Sequence, residues 1–292
     1  MTPLRLRVDV CTHRGLRDGV PGVLEILRRH RARATFFVTF GPDASGLALL
    51  KMLRPSFAWK MIRSNAPSTY GWATAFYGTL LPAPLVGKGM PALLRRIRDE
   101  GHEVGLHGWD HRRWQDRLPR YPRERLRDEF RRMLESYREI LGAAPRGFAA
   151  PAWLISHDLL DLECETGLVY ASDTRGRAPF LPVLNGRPYK VPQLPVTLPT
   201  LDEWLGRESV DRFVEEVLRL SAAQPDYACF TAHAETEGLA RRDVLEALLS
   251  RIGRPVAPLV ETSFTELPRR SVVMGRVDGR PYDVCIEVGN GP

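Results

Sequence analysis

Cysteine is scarce in this chain, and long apolar runs are absent from it. The four cysteines, Cys11, Cys164, Cys229 and Cys285, form no Cys-x-x-Cys pair, which argues against a disulfide framework. We expect the last three, which lie in apolar stretches, to be core residues. No 18 consecutive residues are apolar, so the sequence predicts no membrane-spanning helix. No apolar segment typical of a signal peptide follows Met1.

Lysine is also scarce: only four residues are lysine, and the other basic residues are arginine. Basic residues nevertheless outnumber acidic ones by 42 to 35, which gives a formal net charge of +7. A positive chain suits an anionic membrane surface or a phosphate-bearing substrate. The sequence contains no zinc-finger or RNA-recognition pattern, so nucleic acid is not an expected partner.

Strand and helix patterns alternate along most of the chain. The predicted strands are residues 4–10, 34–39, 102–106, 168–171 and 227–232, and the predicted helices are 19–30, 91–100, 123–141, 157–166, 210–221 and 241–252. This order predicts an α/β fold with a mainly parallel sheet or barrel, in a single domain over residues 1–292. Residues 271–292 are predicted to form a C-terminal hairpin or tail, with a turn at Asp278-Gly279.

Residues 54–86 form an insertion that a compact α/β fold does not require. It mixes aliphatic and basic residues with the aromatic residues Phe57, Trp59, Trp72, Phe76 and Tyr77. That mixture is typical of an amphipathic segment at a membrane interface. A local subdomain that buries its own aromatic residues fits the composition equally well, and both interpretations stay open at this point.

Polar side chains suited to catalysis fall near the predicted ends of four strands. They are Asp9 and Cys11, His107 and His111, Asp173 and Arg175, and His233. In a barrel these strand ends meet at one rim. If the chain turns into helix after residue 106, both histidines of His107-Gly-Trp-Asp-His111 point to one side and could bind a divalent metal with one acidic or thiol ligand. A metal site of this kind suits hydrolysis. The alternative to a metal site is that both histidines are solvated or hydrogen-bonded to the backbone.

Three of these motifs carry a resemblance to a known family. Asp9-Val-Cys11, His107 with His111, and Thr231-Ala-His-Ala234, in this order, resemble the polysaccharide deacetylase (NodB homology) family. The resemblance implies a distorted, partial (β/α) barrel. It also implies one divalent metal ion, often zinc, and the hydrolysis of N-acyl groups on amino sugars.

Further segments are similar to one branch of that family. They include Asp18-Gly-Val-Pro21, Trp59–Ala66, His102–His107, Leu194–Thr200 and His233–Gly238. That branch removes the formyl group from 4-deoxy-4-formamido-L-arabinose linked to undecaprenyl phosphate, a step in lipid A modification and polymyxin resistance. The resemblance extends over the insertion 54–86 and favours its membrane-interface interpretation. It implies peripheral attachment to the anionic cytoplasmic face of the bacterial inner membrane.

The resemblance also implies residue roles. Asp9 matches the catalytic base, His233 the general acid, and His107 and His111 two metal ligands, with Cys11 where the family has a metal-binding aspartate. Asp173 falls near the family's acidic residue that tunes the general acid. Arg175 could bind the sugar-phosphate or orient the base. The family normally has an arginine that steadies the base, and this chain has Ala149 at that position. The remaining candidates for binding substrate are Trp109, Trp153 and Glu235.

Cys11 leaves two interpretations open. As a thiolate ligand beside two histidines it favours zinc over harder ions, with manganese, cobalt and nickel as other candidates for the metal. As a small buried hydrophobic residue it would leave the metal weakly held. The chain would then be a catalytically silent protein that binds a lipid-linked sugar. A third alternative is an N-deacetylase of another amino sugar.

Overall fold

A curled, parallel sheet of seven strands forms the centre of the computed structural model, which describes residues 2–47, 74–204, 208–263, 265–280 and 283–290. Its strands lie in the order β5-β4-β3-β2-β1-β8, with β9 paired to the start of β1. Their bounds are β1 Leu4–Val10, β2 Thr35–Val38, β3 Glu103–Leu106, β4 Gly147–Phe148, β5 Tyr170–Ala171, β8 Ala228–His233 and β9 Val256–Ala257. The half-barrel that the sequence predicted is confirmed.

Helices connect these strands. They are α1 Val20–Arg29, α2 Pro91–Asp99, α3 His111–Arg117, α4 Arg123–Leu141, α5 His157–Thr166, α6 Leu201–Trp204, α7 Val210–Ala222 and α8 Arg242–Arg251. The longer ones bury an apolar stripe on the sheet, as the 3.6-residue periodicity of α4 illustrates. Gly142 ends α4 with a φ of 71°, a left-handed conformation that favours glycine.

The alternation along β1 sorts its side chains between two buried regions. Leu4, Leu6 and Val8 pack into the large core beneath the helices. Arg7 and Asp9 point the other way, where the Arg7 guanidinium lies 5.2 Å from the ring of Phe37. Charged residues on the inner face of a central strand are costly unless they are paired. The central strand therefore carries the polar groups of the site into the curl of the sheet.

A second sheet, in the order β11-β10-β6-β7, lies beyond the first. Its strands are β6 Leu181–Leu184, β7 Arg187–Pro188, β10 Arg269–Gly275 and β11 Val284–Asn290. The predicted C-terminal hairpin is present as the antiparallel pair β10–β11. The sequence did not predict that β10 also pairs with β6, which makes the hairpin part of a four-stranded sheet. A bridge from Arg175 to Ile286 joins the hairpin to the loop after β5.

Two π-helical turns, Gly15–Gly19 and Thr236–Ala240, pack against each other at glycines. A side chain on Gly19 would collide with the backbone oxygen of Ala234, and one on Gly238 with that of Gly19. Glycine is required at both positions because the backbones approach so closely. The contact joins the loop after β1 to the loop after β8.

Only part of the proposed membrane insertion lies within the described residues, because Phe57, Trp59 and Trp72 fall outside them. Of the remaining candidates, Phe76 is partly buried, and the Tyr77 ring lies edge-on to His13 at 6.3 Å. Among the described residues of this segment, the exposed large apolar side chains are those of Leu80, Leu81 and Leu85, with Leu80 79% exposed. No helix in the described part of the chain is long and apolar enough to cross a membrane.

The prediction that three cysteines belong to the core is wrong for one of them. Cys229 and Cys285 are buried, whereas Cys164 is exposed. Cys164 lies on α5, where the neighbouring Leu160 and Leu162 are turned inward. Helical periodicity therefore places a residue of an apolar stretch at the surface.

Candidate metal centre

Three side chains form a cluster suited to a metal ion. The ligand atoms of Cys11, His107 and His111 all lie within 4.8 Å of one another, the only such group among the described residues. His107 is buried, and Cys11 and His111 are partly buried. One thiol and two imidazoles are a donor set that zinc prefers, and three protein ligands leave a position for water or substrate. The side chains present therefore fit the metal that the sequence predicted.

The two histidines converge on this cluster, but they reach it from different elements and not from one helix, the route that the sequence suggested. His107 follows the last residue of β3, and the chain then turns at Gly108, whose φ is 75°. Asp110 caps α3 by accepting a 2.9 Å hydrogen bond from the backbone N–H of Arg113, and His111 is the first residue of that helix. The cap begins the helix too late to include His107.

The environment of His107 fixes which ring nitrogen faces the cluster. Its Nδ1 atom lies 2.7 Å from the carbonyl oxygen of Ala149, a distance at which Nδ1 carries the proton and donates it. Nε2 is then the unprotonated ring nitrogen, whose lone pair can bind a metal. Oδ2 of Asp9 lies 3.8 Å from Nε2. Burial lowers the pKa of His107 to about 4, and it lowers the pKa of His111 well below its ordinary value. Both rings are therefore neutral near pH 7, as metal ligands must be.

A neighbour on its own strand holds the Asp9 carboxylate. Nε and Nη2 of Arg7 donate hydrogen bonds of 2.6 and 2.7 Å to the two oxygens of Asp9. Arg7 also donates to the carbonyl and hydroxyl oxygens of Ser172 at the end of β5. Burial would raise the pKa of Asp9, but the charge and hydrogen bonds of Arg7, together with His107 and His233, outweigh burial and lower that pKa to about 2. Sequence reasoning missed Arg7, although its position two residues before Asp9 places both side chains on one face.

Glu235 organises the loop that carries Cys11. Its Oε1 atom accepts hydrogen bonds from the backbone N–H of Cys11 (2.9 Å), from that of Thr12 (2.8 Å) and from the Thr12 hydroxyl (2.8 Å). Glu235 is 2% exposed. Burial and the nearby carboxylates of Glu235 and Asp9 raise the pKa of Cys11 well above its ordinary value. Binding of a metal by Cys11 must therefore displace a proton from the thiol.

His233 ends β8 directly beside Asp9, since the two residues are Cα partners in the β1–β8 register. Its backbone N–H donates a 2.9 Å hydrogen bond to Glu237, and burial raises the pKa of Glu237 to about 7. Nδ1 of His233 lies 3.9 Å from Oδ1 of Asp202. Burial lowers the pKa of His233, but the carboxylates of Asp202, Asp9, Glu237 and Glu235 together outweigh burial and raise that pKa overall.

Asp173, the predicted partner of His233, forms hydrogen bonds with other groups. Its carboxylate accepts hydrogen bonds of 2.6 Å from the backbone N–H of Ala150 and 2.8 Å from the Gln193 side chain, and it is fully buried. These bonds fix the loop after β4. The carboxylate that faces Nδ1 of His233 belongs to Asp202, on the short helix α6. The sequence offered no periodic signal for Asp202, because α6 is only four residues long.

The two tryptophans and Arg175 have different surroundings. The partly buried Trp109 ring packs against Gly41, where a side chain would collide with it. Trp153 is 2% exposed, and its ring lies 5.5 Å from the Arg7 guanidinium and 5.4 Å from that of Arg175. Nη2 of Arg175 lies 3.5 Å from a carboxylate oxygen of Glu203. The contact that orients Asp9 is made by Arg7, and substrate binding by these three residues stays a prediction.

Comparison with known proteins agrees with this geometry. Residues 6–171 match the family model described as polysaccharide deacetylase. A candidate polysaccharide deacetylase from Mycobacterium smegmatis has the same fold, with a TM-score of 0.61 over 95% of this chain and 100% of that one, at 18% identity. The chain therefore belongs to the polysaccharide deacetylase family.

Two curated relatives within that family are more similar in sequence. Both carry the name probable 4-deoxy-4-formamido-L-arabinose-phosphoundecaprenol deformylase ArnD. The protein from Shewanella sediminis (strain HAW-EB3) is 35% identical over 289 residues, which cover 96% of this chain and 93% of that protein. The protein from Wigglesworthia glossinidia brevipalpis is 30% identical over 238 residues, which cover 81% of this chain and 83% of that protein.

Proposed function

We propose that this protein is a deformylase. It hydrolyses the formamide of 4-deoxy-4-formamido-L-arabinose linked to undecaprenyl phosphate and releases formate and the 4-amino sugar lipid, which serves lipid A modification and polymyxin resistance. The observation that carries the proposal is that Asp9, Cys11, His107, His111 and His233 meet at one end of the sheet. The similarity to the two deformylases named ArnD supports the choice of substrate.

In this mechanism Cys11, His107 and His111 hold one divalent ion, for which the thiol favours zinc. When bound, the ion acts as a Lewis acid that polarises the formyl carbonyl and makes water more acidic. The protein supplies neutral imidazoles for this purpose, since burial lowers the pKa values of both histidines. The hydrogen bond from His107 to Ala149 keeps the second ring nitrogen directed at the site.

Asp9 and His233 move the protons. Asp9 accepts a proton from the water that attacks the formyl carbon, and Arg7 keeps the carboxylate ionised and oriented for this step. The carbon–nitrogen bond then breaks, and His233 protonates the departing nitrogen so that it leaves as an amine. The raised pKa of His233 suits a group that must carry a proton near neutral pH.

Peripheral attachment to the cytoplasmic face of the inner membrane completes the proposal. A polyprenyl-linked substrate stays in the bilayer, so the enzyme must work at its surface. The exposed side chains of Leu80, Leu81 and Leu85 and the net charge of +7 support contact with an anionic membrane. We also propose that residues 1–292 act as one domain, which is supported by the pairing of β10 with β6.

The proposal is tested by formate release from the purified, zinc-loaded protein. The substrates are the lipid-linked formamido sugar and its acetamido analogue, and metal content is measured on the same samples. Formate release that is lost in His111→Ala supports the deformylase. Acetate release in preference to formate supports the deacetylase alternative, and neither product with no bound metal supports a silent binding protein.

A further inference from the structure

The C-terminal hairpin carries a buried arginine toward His233. Arg280, in the connection between β10 and β11, is only 7% exposed. Its Nε atom donates a 2.7 Å hydrogen bond to Glu203, and its Nη2 atom lies 3.3 Å from Oδ2 of Asp202. The guanidinium carbon lies 4.2 Å from the centre of the Trp153 ring. A cation so far removed from water depends on these partners for its stability.

Asp202 links this arginine to His233. Its Oδ1 atom lies 3.9 Å from Nδ1 of His233 and accepts a 2.6 Å hydrogen bond from the Thr200 hydroxyl. The separation from His233 is within ion-pair range but too long for a direct hydrogen bond. Hydrogen bonds between catalytic groups are often long in the free enzyme and shorten when substrate binds. Asp202 is therefore placed to accept a hydrogen bond from Nδ1–H of His233.

Arg280 lies between the two carboxylates of α6. Asp202 and Glu203 are adjacent in α6, and their like charges repel each other. Glu203 is fixed, because its side chain is 3% exposed and accepts a 2.9 Å hydrogen bond from the backbone N–H of Thr200. The Asp202 side chain is 34% exposed and can turn toward solvent. Arg280 contacts both carboxylates, and the Thr200 hydroxyl also donates to Asp202.

We propose that Arg280 is a positioning residue for leaving-group protonation: it holds the Asp202 carboxylate opposite Nδ1 of His233, and that carboxylate orients the imidazole toward the departing nitrogen. The inference rests on the proposed function for the identity of this nitrogen. It gives the C-terminal hairpin a part in catalysis, although the hairpin lies outside the residues 6–171 that match the family model.

Three variants and one control test the proposal by formate release. Arg280→Met removes the cation, Arg280→Lys keeps the charge without the planar fork, and Asp202→Asn keeps the shape without the charge. The control, Arg276→Met, removes an exposed arginine from the same segment. We expect kcat to fall about 10- to 100-fold in Arg280→Met and Asp202→Asn, less in Arg280→Lys, and not at all in the control. KM should change little, because neither residue needs to contact the substrate.

A second measurement separates positioning from a purely structural clamp. In spectra of protein with ¹⁵N-labelled histidine, the Nδ1 signal of His233, assigned with a His233→Gln sample, should shift in Arg280→Met and in Asp202→Asn but not in Arg276→Met. An unchanged His233 signal in both variants overturns the proposal and leaves Arg280 only fastening the hairpin. If Arg280→Met does not fold, the His233 signal and the kcat of Arg280→Lys and Asp202→Asn test the proposal instead.

This measurement requires no turnover. It therefore tests the positioning of His233 even if the lipid-linked formamide proves not to be the substrate. If the wild-type protein releases no formate, only the proposed function is contradicted. If the His233 signal is unchanged in the variants, only the role of Arg280 is contradicted.

Discussion

Arg7 binds both carboxylate oxygens of Asp9 from a position only two residues earlier on the same strand. The family resemblance placed an arginine for this purpose at position 149, where this chain has alanine. Ala149 belongs to the same buried cluster as Phe37 and Trp153, the two rings that flank the Arg7 guanidinium. The guanidinium thus reaches the base from β1, and the small side chain of Ala149 is consistent with that arrangement.

Removing Arg7 alone should cost much more stability than removing the pair. Arg7→Met leaves Asp9 buried and uncompensated, so we expect a loss of about 3 to 5 kcal/mol in the free energy of unfolding. In Arg7→Met/Asp9→Asn most of that loss should be recovered, while formate release stays at least about 100-fold below wild type because the base is absent. Urea denaturation and formate assays measure the two effects. A double variant no more stable than Arg7→Met would contradict the pairing.

The thiol of Cys11 should decide which metal is retained. Cys11→Ala should lose bound zinc after dialysis, because two imidazoles alone hold it weakly. Cys11→Asp should stay loaded and active and accept manganese more readily, since a carboxylate is a harder ligand than a thiolate. Metal analysis by mass spectrometry, with formate release in zinc and in manganese, checks both variants. Cys164→Ala is the matched control on an exposed cysteine, and equal zinc in Cys11→Ala would refute the assignment of Cys11 as a ligand.

Glu235 should act on the metal through the loop that it fixes. Glu235→Ala removes an acceptor of three hydrogen bonds around Cys11 and Thr12. We expect zinc affinity to fall about 10- to 100-fold and stability by about 1 to 3 kcal/mol. Competition with a chromogenic zinc chelator and thermal unfolding measure the two quantities, with the exposed Glu215→Ala as control. An unchanged zinc affinity would show that the loop holds Cys11 without Glu235.

Buried His102 should make the protein less stable in mild acid. Burial lowers its pKa from 6.5 to about 4, and its Nδ1 atom accepts a 3.3 Å hydrogen bond from the backbone N–H of Ala34. Between these two pH values the unfolded chain binds a proton that the folded chain does not, so stability falls as the pH drops from 6.5 to 4. At about 1.4 kcal/mol for each pKa unit, the histidine accounts for about 3 kcal/mol at most.

His102→Gln should flatten the decline in stability over that interval, which urea titrations at pH 7, 5.5 and 4.5 measure. The difference between wild type and variant isolates His102, because the lowered pKa of His107 contributes equally to both proteins. Parallel pH profiles for the two proteins would mean that His102 is protonated in the folded state as readily as in the unfolded one.

Local patterns in the sequence determined the order of strands and helices. The alternation along β1 and the 3.6-residue periodicity of α4 depend only on which side chains avoid water, so they can be recognised without the fold. The resemblance to the family motifs predicted Asp9, His107, His111 and His233 as site residues. The C-terminal hairpin was predictable as well, since its turn carries Asp278-Gly279.

Tertiary structure decided which residues hold the predicted site residues in place. Arg7, Asp202 and Arg280 reach the site from three distant parts of the chain, and charged side chains look alike in a sequence whether they end in solvent or in a buried ion pair. The start of α3 at His111 and the hydrogen bonds of buried Asp173 with Ala150 and Gln193 likewise depend on caps and loops that only the packed sheet selects. The short-range pattern of apolar and polar residues specifies strands and helices. The pairing of buried charges is instead a long-range electrostatic property of the folded chain.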